Sequence, residues 1–170
     1  MCAALLACLS QAALAAAELQ DKPEWARFFA DAKVDGSIVV VDARGQAEAL
    51  YVHDRDRAAR RYSPASTFKI PHSLFALDAG LLRDEFQRIP WDGVKRQLPA
   101  WNADQDLRSA MRNSTLWVYE GFARELGSAR EAAYMRKIDY GNALATGEAP
   151  LWVEGDRAIS ALEQAALLQR

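Results

Sequence analysis

Residues 63–81 leave little choice about where they sit in a fold. Ser63-Pro-Ala-Ser66 leads into a helix running to about Ala79, and Gly80 is a natural C-cap. Pro71 lies near the helix start, where its missing N–H is tolerated. Leu74, Phe75, Leu77 and Leu81 are core residues by type, and apolar side chains fall on most sides of the helix. Such a helix has to be central. Its first turn also carries chemistry. Ser66 and Lys69 are three residues apart, so one helical turn brings a hydroxyl and an amine to one face. A Ser is a weak nucleophile until a base takes its proton. A Lys can be that base only if burial or chemical modification removes its charge. With nine Ser and five Lys in 170 residues, such a spacing arises by chance about once in four chains. The rest of the chain has to decide what it means.

Asp21 to Ala32 reads as a helix, with Trp25, Phe28 and Phe29 at i, i+3 and i+4 and Pro23 near its start. Ser37 to Val41 is a β-branched strand, Asp42-Ala-Arg-Gly45 a turn, and Glu48 to Val52 a second strand. Together they make a hairpin. A hairpin alone is marginal, so it needs more strands or a packed helix. His53 to Arg61 is charged and reads as a surface loop. Ile89-Pro-Trp-Asp-Gly93 and Leu98-Pro-Ala-Trp-Asn102 are loops carrying aromatics of a buried type. Asp104 caps a short helix to about Arg112. Asn113-Ser114 breaks it and opens a helix from Thr115 to Leu126, closed by Gly127. Ser128 caps another to about Ile138. Tyr140-Gly-Asn142 is a turn, Ala143 to Pro150 a loop, and Leu151-Trp-Val-Glu-Gly155 a short extended piece. Ile159 to Arg170 begins a last helix with no stop signal. That ending and the single hairpin together point to a fragment without its C-terminal strands.

The chain is 51% hydrophobic, enough for one core built as two lobes. Its net charge is -2 and it has no basic block, which argues against a nucleic-acid partner. Residues 1–17 are uncharged, rich in Ala and Leu, and end in Ala-Leu-Ala-Ala-Ala before Glu18. They read as a signal peptide, leaving residues 18–170 as the mature part, periplasmic and without a membrane anchor. The run is shorter than the ~20 apolar residues of a membrane span. The usual positive n-region is missing, as though the start lay upstream. Both cysteines, Cys2 and Cys8, fall in this segment, so no disulfide is expected afterwards. His53 and His72 have no metal-ligand spacing, and no metal or other cofactor is expected.

Three more motifs follow Ser66-Thr-Phe-Lys69 in order: Ser114-Thr-Leu116, Tyr140-Gly-Asn142 and Trp152-Val-Glu-Gly155. Taken one at a time, Ser114 reads as an N-cap, Tyr140-Gly-Asn142 as a plain turn and Trp152 as core. Glu154 and Glu163 read as solvated. Taken in order, and with Pro64-Ala-Ser-Thr-Phe-Lys-Ile-Pro71, Trp101-Asn102 and Met111-Arg-Asn-Ser114, they resemble the class D, oxacillinase-type serine β-lactamases. The resemblance runs from about Trp25 to Gln164.

That resemblance implies an α/β fold of the α+β type, the β-lactamase/penicillin-binding transpeptidase arrangement. It would have a helical lobe plus an antiparallel-sheet lobe, with Ser66 at their junction. It implies hydrolysis of β-lactam antibiotics through a Ser66 acyl-enzyme. Lys69 would be carboxylated by CO2 to N6-carboxylysine and act as general base. Ser114 would relay a proton to the leaving nitrogen, and Trp152 would hold the carbamate through its indole N–H. Leu116, Tyr140, Asn142 and Val153 would shape the site. Carbamate formation needs a neutral amine and hence an apolar surround, which Phe68, Leu116 and Trp152 could supply. Two departures stand out. The family's Lys-Thr-Gly or Lys-Ser-Gly motif is absent from these residues, and Leu116 replaces the Val of Ser-x-Val. Two other functions fit the same motifs: a penicillin-sensing domain that acylates without turnover, and an inactive fragment.

Overall fold

The computed structural model describes residues 19–45, 48–145 and 155–170. The expected signal peptide, and the Trp152-Val153 motif, lie outside the described residues. Two compact units form. Among the described residues, one comprises those up to Tyr62, Tyr140–Asn142 and Ile159–Arg170; the other comprises Ser63–Asp139 and those between Ala143 and Ala158. No helix among the described residues is long and apolar enough to cross a membrane.

The first unit is built on the expected hairpin. Strands β2 (Ile38–Asp42) and β3 (Ala49–His53) pair antiparallel, with Val39 opposite Val52 and Val41 opposite Leu50. Alternation on β3 buries Leu50 and Val52. The extra strand a lone hairpin needs comes from β1 (Leu19–Asp21), which pairs parallel to β3. The sheet is therefore mixed, not purely antiparallel. Asp21 belongs to that strand, so the first helix begins later than its aromatic spacing suggests. A single 3-10 turn spans Pro23–Trp25, and α1 runs Ala26–Ala32. Gly36 has to be glycine, because a Cβ there would fall 1.9 Å from the Phe29 ring.

The charged stretch His53–Arg61 is not a loop. It holds α2 (Arg55–Ala59) and the short strand β4 (Arg61–Tyr62). Asp54, at φ 53°, caps α2 by accepting a hydrogen bond from the Arg57 N–H at 3.0 Å, and Ala58 is wholly buried. One buried Ala in nine residues is too weak a signal for a periodicity to show. The last helix also starts later than read. β5 (Ile159–Ser160) pairs with β4, and α6 covers Ala161–Leu168. Ser160 and Glu163 form a reciprocal capping box, and Arg61 donates to Glu163 at 2.5–3.0 Å. Glu163 is thus an anchor, not the solvated carboxylate expected.

The second unit is helical. A 3-10 turn at Ala65–Phe68 continues into α3 (Lys69–Asp78). Helices α4 (Leu107–Arg112) and α5 (Leu116–Lys137) follow. Gly127, at φ 72°, breaks α5 where the sequence places the junction of two helices. Helix α3 packs on α5 through His72 against Tyr119 and Phe122, and through Phe75 stacked on Tyr134. Leu74 departs from expectation: it is 60% exposed, on the outer face of α3. The cap of α4 is Asp106, not Asp104. Asp106 accepts from the Ser109 N–H at 2.6 Å, while Asp104 accepts from the Trp91 N–H at 2.8 Å. Asp106→Ala should cost about 1 kcal/mol, and a thermal melt should fall by roughly 2–4 °C. An unchanged melting temperature would mean the capping box does not hold this helix.

Candidate active site

The sequence around position 66 makes a turn before it makes a helix. Pro64 fixes one dihedral, and Ala65 adopts φ 45°, a left-handed conformation that a residue with a Cβ avoids. Ser66 follows, and the Thr67 hydroxyl donates to Pro64 O at 2.7 Å to hold the turn closed. The outcome is an exposed Ser66 above a buried Lys69. Lys69 Nζ donates to Ser66 Oγ at 2.8 Å. The one-turn spacing therefore does bring hydroxyl and amine together.

Ser114 completes the group. Its Oγ lies 3.0 Å from Ser66 Oγ. It is not the N-cap it resembles; Thr115 holds that position, without a side-chain cap bond. Ser114 itself sits at φ 51°. Left-handed Ala65 and Ser114 each cost on the order of 1–3 kcal/mol, and they are the two bends that aim the hydroxyls at each other. The loop aromatics hold the second bend. Trp101 Nε1 donates to Asn113 O at 2.9 Å, Trp117 Nε1 donates to Trp101 O at 3.0 Å, and Asn102 exchanges two bonds with the Arg96 backbone. Trp101 thus acts on the residue just before Ser114, while Asn102 pins the loop at Arg96.

Lys69 is 3% exposed. Burial pushes its amine below the usual lysine range. The ammonium position lies 5.5 Å from the centre of the Tyr119 ring. Among the described residues no carboxylate lies within ion-pair distance of it. Loss of its charge is the cheaper response to such a site than desolvation of an ammonium. Ser73 Oγ donates to Lys69 O at 2.7 Å and lies 3.2 Å from the Tyr119 hydroxyl, which ties α3 to α5 beneath the amine. Burial raises the Tyr119 phenol, and the Ser73 bond opposes that only in part, so it stays protonated.

Of the residues singled out from sequence, Ser66, Lys69 and Ser114 come together. Leu116, half-buried, opens α5 two residues after Ser114. Tyr140 and Asn142 belong to the other compact unit. Tyr140 is wholly buried, and Gly141 at φ 47° makes the expected turn. Trp152 and Val153 lie outside the described residues. The sequence reading missed Tyr119 and Ser73. Tyr119 is signalled only by its i+3 spacing from Leu116, and Ser73 by its i+4 spacing from Lys69. No group of residues that could hold a metal ion occurs among the described residues.

Residues 36–170 match the family model described as penicillin binding protein transpeptidase domain. Beta-lactamase OXA-2 of Salmonella typhimurium is 55% identical over 151 residues, covering 88% of this chain and 55% of the relative. Beta-lactamase OXA-10 of Pseudomonas aeruginosa is 35% identical over 166 residues, covering 97% of this chain and 61% of the relative. The crystal structure of the class D β-lactamase YbXI from Nostoc superposes with a TM-score of 0.80 at 35% identity, over 88% of this chain and 63% of that one. The chain spans about half the length of the curated relatives it matches. The likeness to class D enzymes read from the ordered motifs is borne out, and with it the transpeptidase-like α+β fold. On this match, and on a Ser66–Lys69–Ser114 cluster in the order those motifs require, the chain belongs to the penicillin binding protein transpeptidase domain family, within which its likeness is to the class D β-lactamases.

Proposed function

We propose that the whole protein hydrolyses β-lactam antibiotics, with Ser66 as nucleophile, Lys69 as base and Ser114 as proton relay. The observation that carries this reading is the 2.8 Å separation between an exposed hydroxyl and a buried amine whose charge burial disfavours. As a neutral amine Lys69 can accept the Ser66 proton across that distance. Ser66 Oγ then bonds to the β-lactam carbonyl carbon, and the ring C–N bond breaks. The departing nitrogen takes its proton by way of Ser114, whose hydroxyl already faces Ser66. The Ser66 backbone N–H is one donor for the carbonyl oxygen as it gains charge. Water then releases the acyl group, and Ser66 recovers its proton.

The Lys69 site also fits a carbamate, since CO2 adds only to a neutral amine, and Trp152 would hold the adduct through its indole N–H. Carboxylated Lys69 would supply an anionic base in place of the amine. No metal takes part in this reading. Residues 1–17 would direct export to the periplasm, where β-lactams act, and would be cleaved.

The test is nitrocefin turnover by the full-length protein. Steady turnover supports hydrolysis, whereas a stoichiometric burst would mean acylation alone. Activity should fall several-fold when CO2 is stripped at mildly acidic pH and return with bicarbonate. No response to bicarbonate would leave the Lys69 amine itself as the base.

A further inference from the structure

Behind Phe68 lies a charged cluster with no place in the chemistry above. His72, Glu131 and Arg157 are each at most 1% exposed. Arg157 Nη2 donates to Glu131 Oε2 at 2.6 Å, and His72 Nε2 lies 2.8 Å from Glu131 Oε1. Arg157 Nε donates to Leu144 O at 3.2 Å. The guanidinium lies 3.9 Å from the centre of the Phe68 ring. The His72 ring packs on Phe68 at 5.1 Å and on Tyr119 at 6.0 Å. The cluster therefore touches Phe68, the chain neighbour of Lys69, and Tyr119, whose ring faces the Lys69 amine.

A buried ion pair is a poor way to gain stability, because apolar residues of the same volume usually do as well. What a planar, bidentate guanidinium offers instead is direction. It fixes a stacked ring and two acceptors at once, which an alkyl side chain or a Lys cannot do. We propose that Arg157, oriented by Glu131 and His72, is a positioning residue that clamps Phe68 and so keeps the Lys69 site closed and apolar. The inference rests on the reading of Lys69 as the base, but it concerns the site and not the reaction.

The test therefore reads Lys69 without substrate. With five lysines in the chain, the Lys69 ε-methylene signal can be assigned by its loss in Lys69→Arg. Its pH titration is then followed by NMR in CO2-free buffer, and the carbamate signal by adding 13C-bicarbonate. In Arg157→Met the Lys69 titration should move up toward the other four lysines, and half-maximal carbamate should need about tenfold more bicarbonate, the usual scale for losing an orienting partner. Arg157→Lys should recover stability but not the titration. The double variant Arg157→Met/Glu131→Leu removes both charges and should regain the melting temperature while Lys69 stays displaced. It also decides the matter if the single variant does not fold. A Lys69 titration that stays at the wild-type position in the double variant overturns the proposal and leaves the cluster as packing. Failure of penicillin to acylate Ser66 in the wild type would instead sink the hydrolase reading, with the Lys69 titration judged separately.

Discussion

Ser66→Ala is expected to lower nitrocefin turnover by at least about 10⁴-fold, since a nucleophile and its base act as a unit and loss of either member removes most of the rate. The structure also predicts what survives. Lys69 loses only the Ser66 contact, so the alanine variant should keep its fold and its depressed amine. Ser114→Ala should cost less, about 10²–10³-fold, the scale of losing one proton-transfer group. If Ser114→Ala matched Ser66→Ala, the two hydroxyls, 3.0 Å apart, would have to be reassigned.

Glu131→Leu is expected to be the most destabilising single change in the described chain. It leaves the Arg157 guanidinium buried without its anion, at a cost of about 3–5 kcal/mol. At roughly 2–4 °C per kcal/mol for a chain of this size, the melting temperature should drop by roughly 6–20 °C. Adding Arg157→Met should return most of that loss, because the second change removes the stranded charge. Two drops that simply add would contradict a coupled pair.

The same cluster makes stability depend on pH, with a definite sign. Burial holds His72 below its ordinary 6.5, outweighing the raising effect of Glu131. Burial alone would raise Glu131 above its ordinary 4.5, but His72 and Arg157 more than offset it, so the carboxylate stays ionised. Both folded values are depressed. The unfolded chain therefore takes up protons first as pH falls, and stability declines below about 6.5 and again below about 4.5. His72→Gln should flatten the first of these declines in urea titrations across that range. An unchanged slope would mean His72 does not titrate on unfolding.

The parts legible in the sequence were those written in short-range pattern. Ser66 and Lys69 are one turn apart, Gly127 breaks a helix, and β-branched residues mark the hairpin; local geometry sets each of these. The parts that were not legible depend on pairs far apart in the chain. His72 gave no ligand spacing, and its partners lie 59 and 85 residues away. Arg157 sits in a polar Gly-Asp-Arg stretch that reads as surface, yet a single buried carboxylate brings it inside. Leu74 shows the converse. Its type says core, but only the contacts of α3 decide which face is covered. Strand β1 went unseen because three residues, two of them polar, become a strand only beside β3.

The central claim is that Ser66 is acylated by a β-lactam, and intact-mass spectrometry of the full-length protein tests it most directly. After brief mixing with benzylpenicillin and an acid quench, the account predicts one added penicilloyl group, mapped to the peptide holding Ser66, and none in Ser66→Ala. An adduct on any other residue, or an adduct that persists in Ser66→Ala, would contradict it.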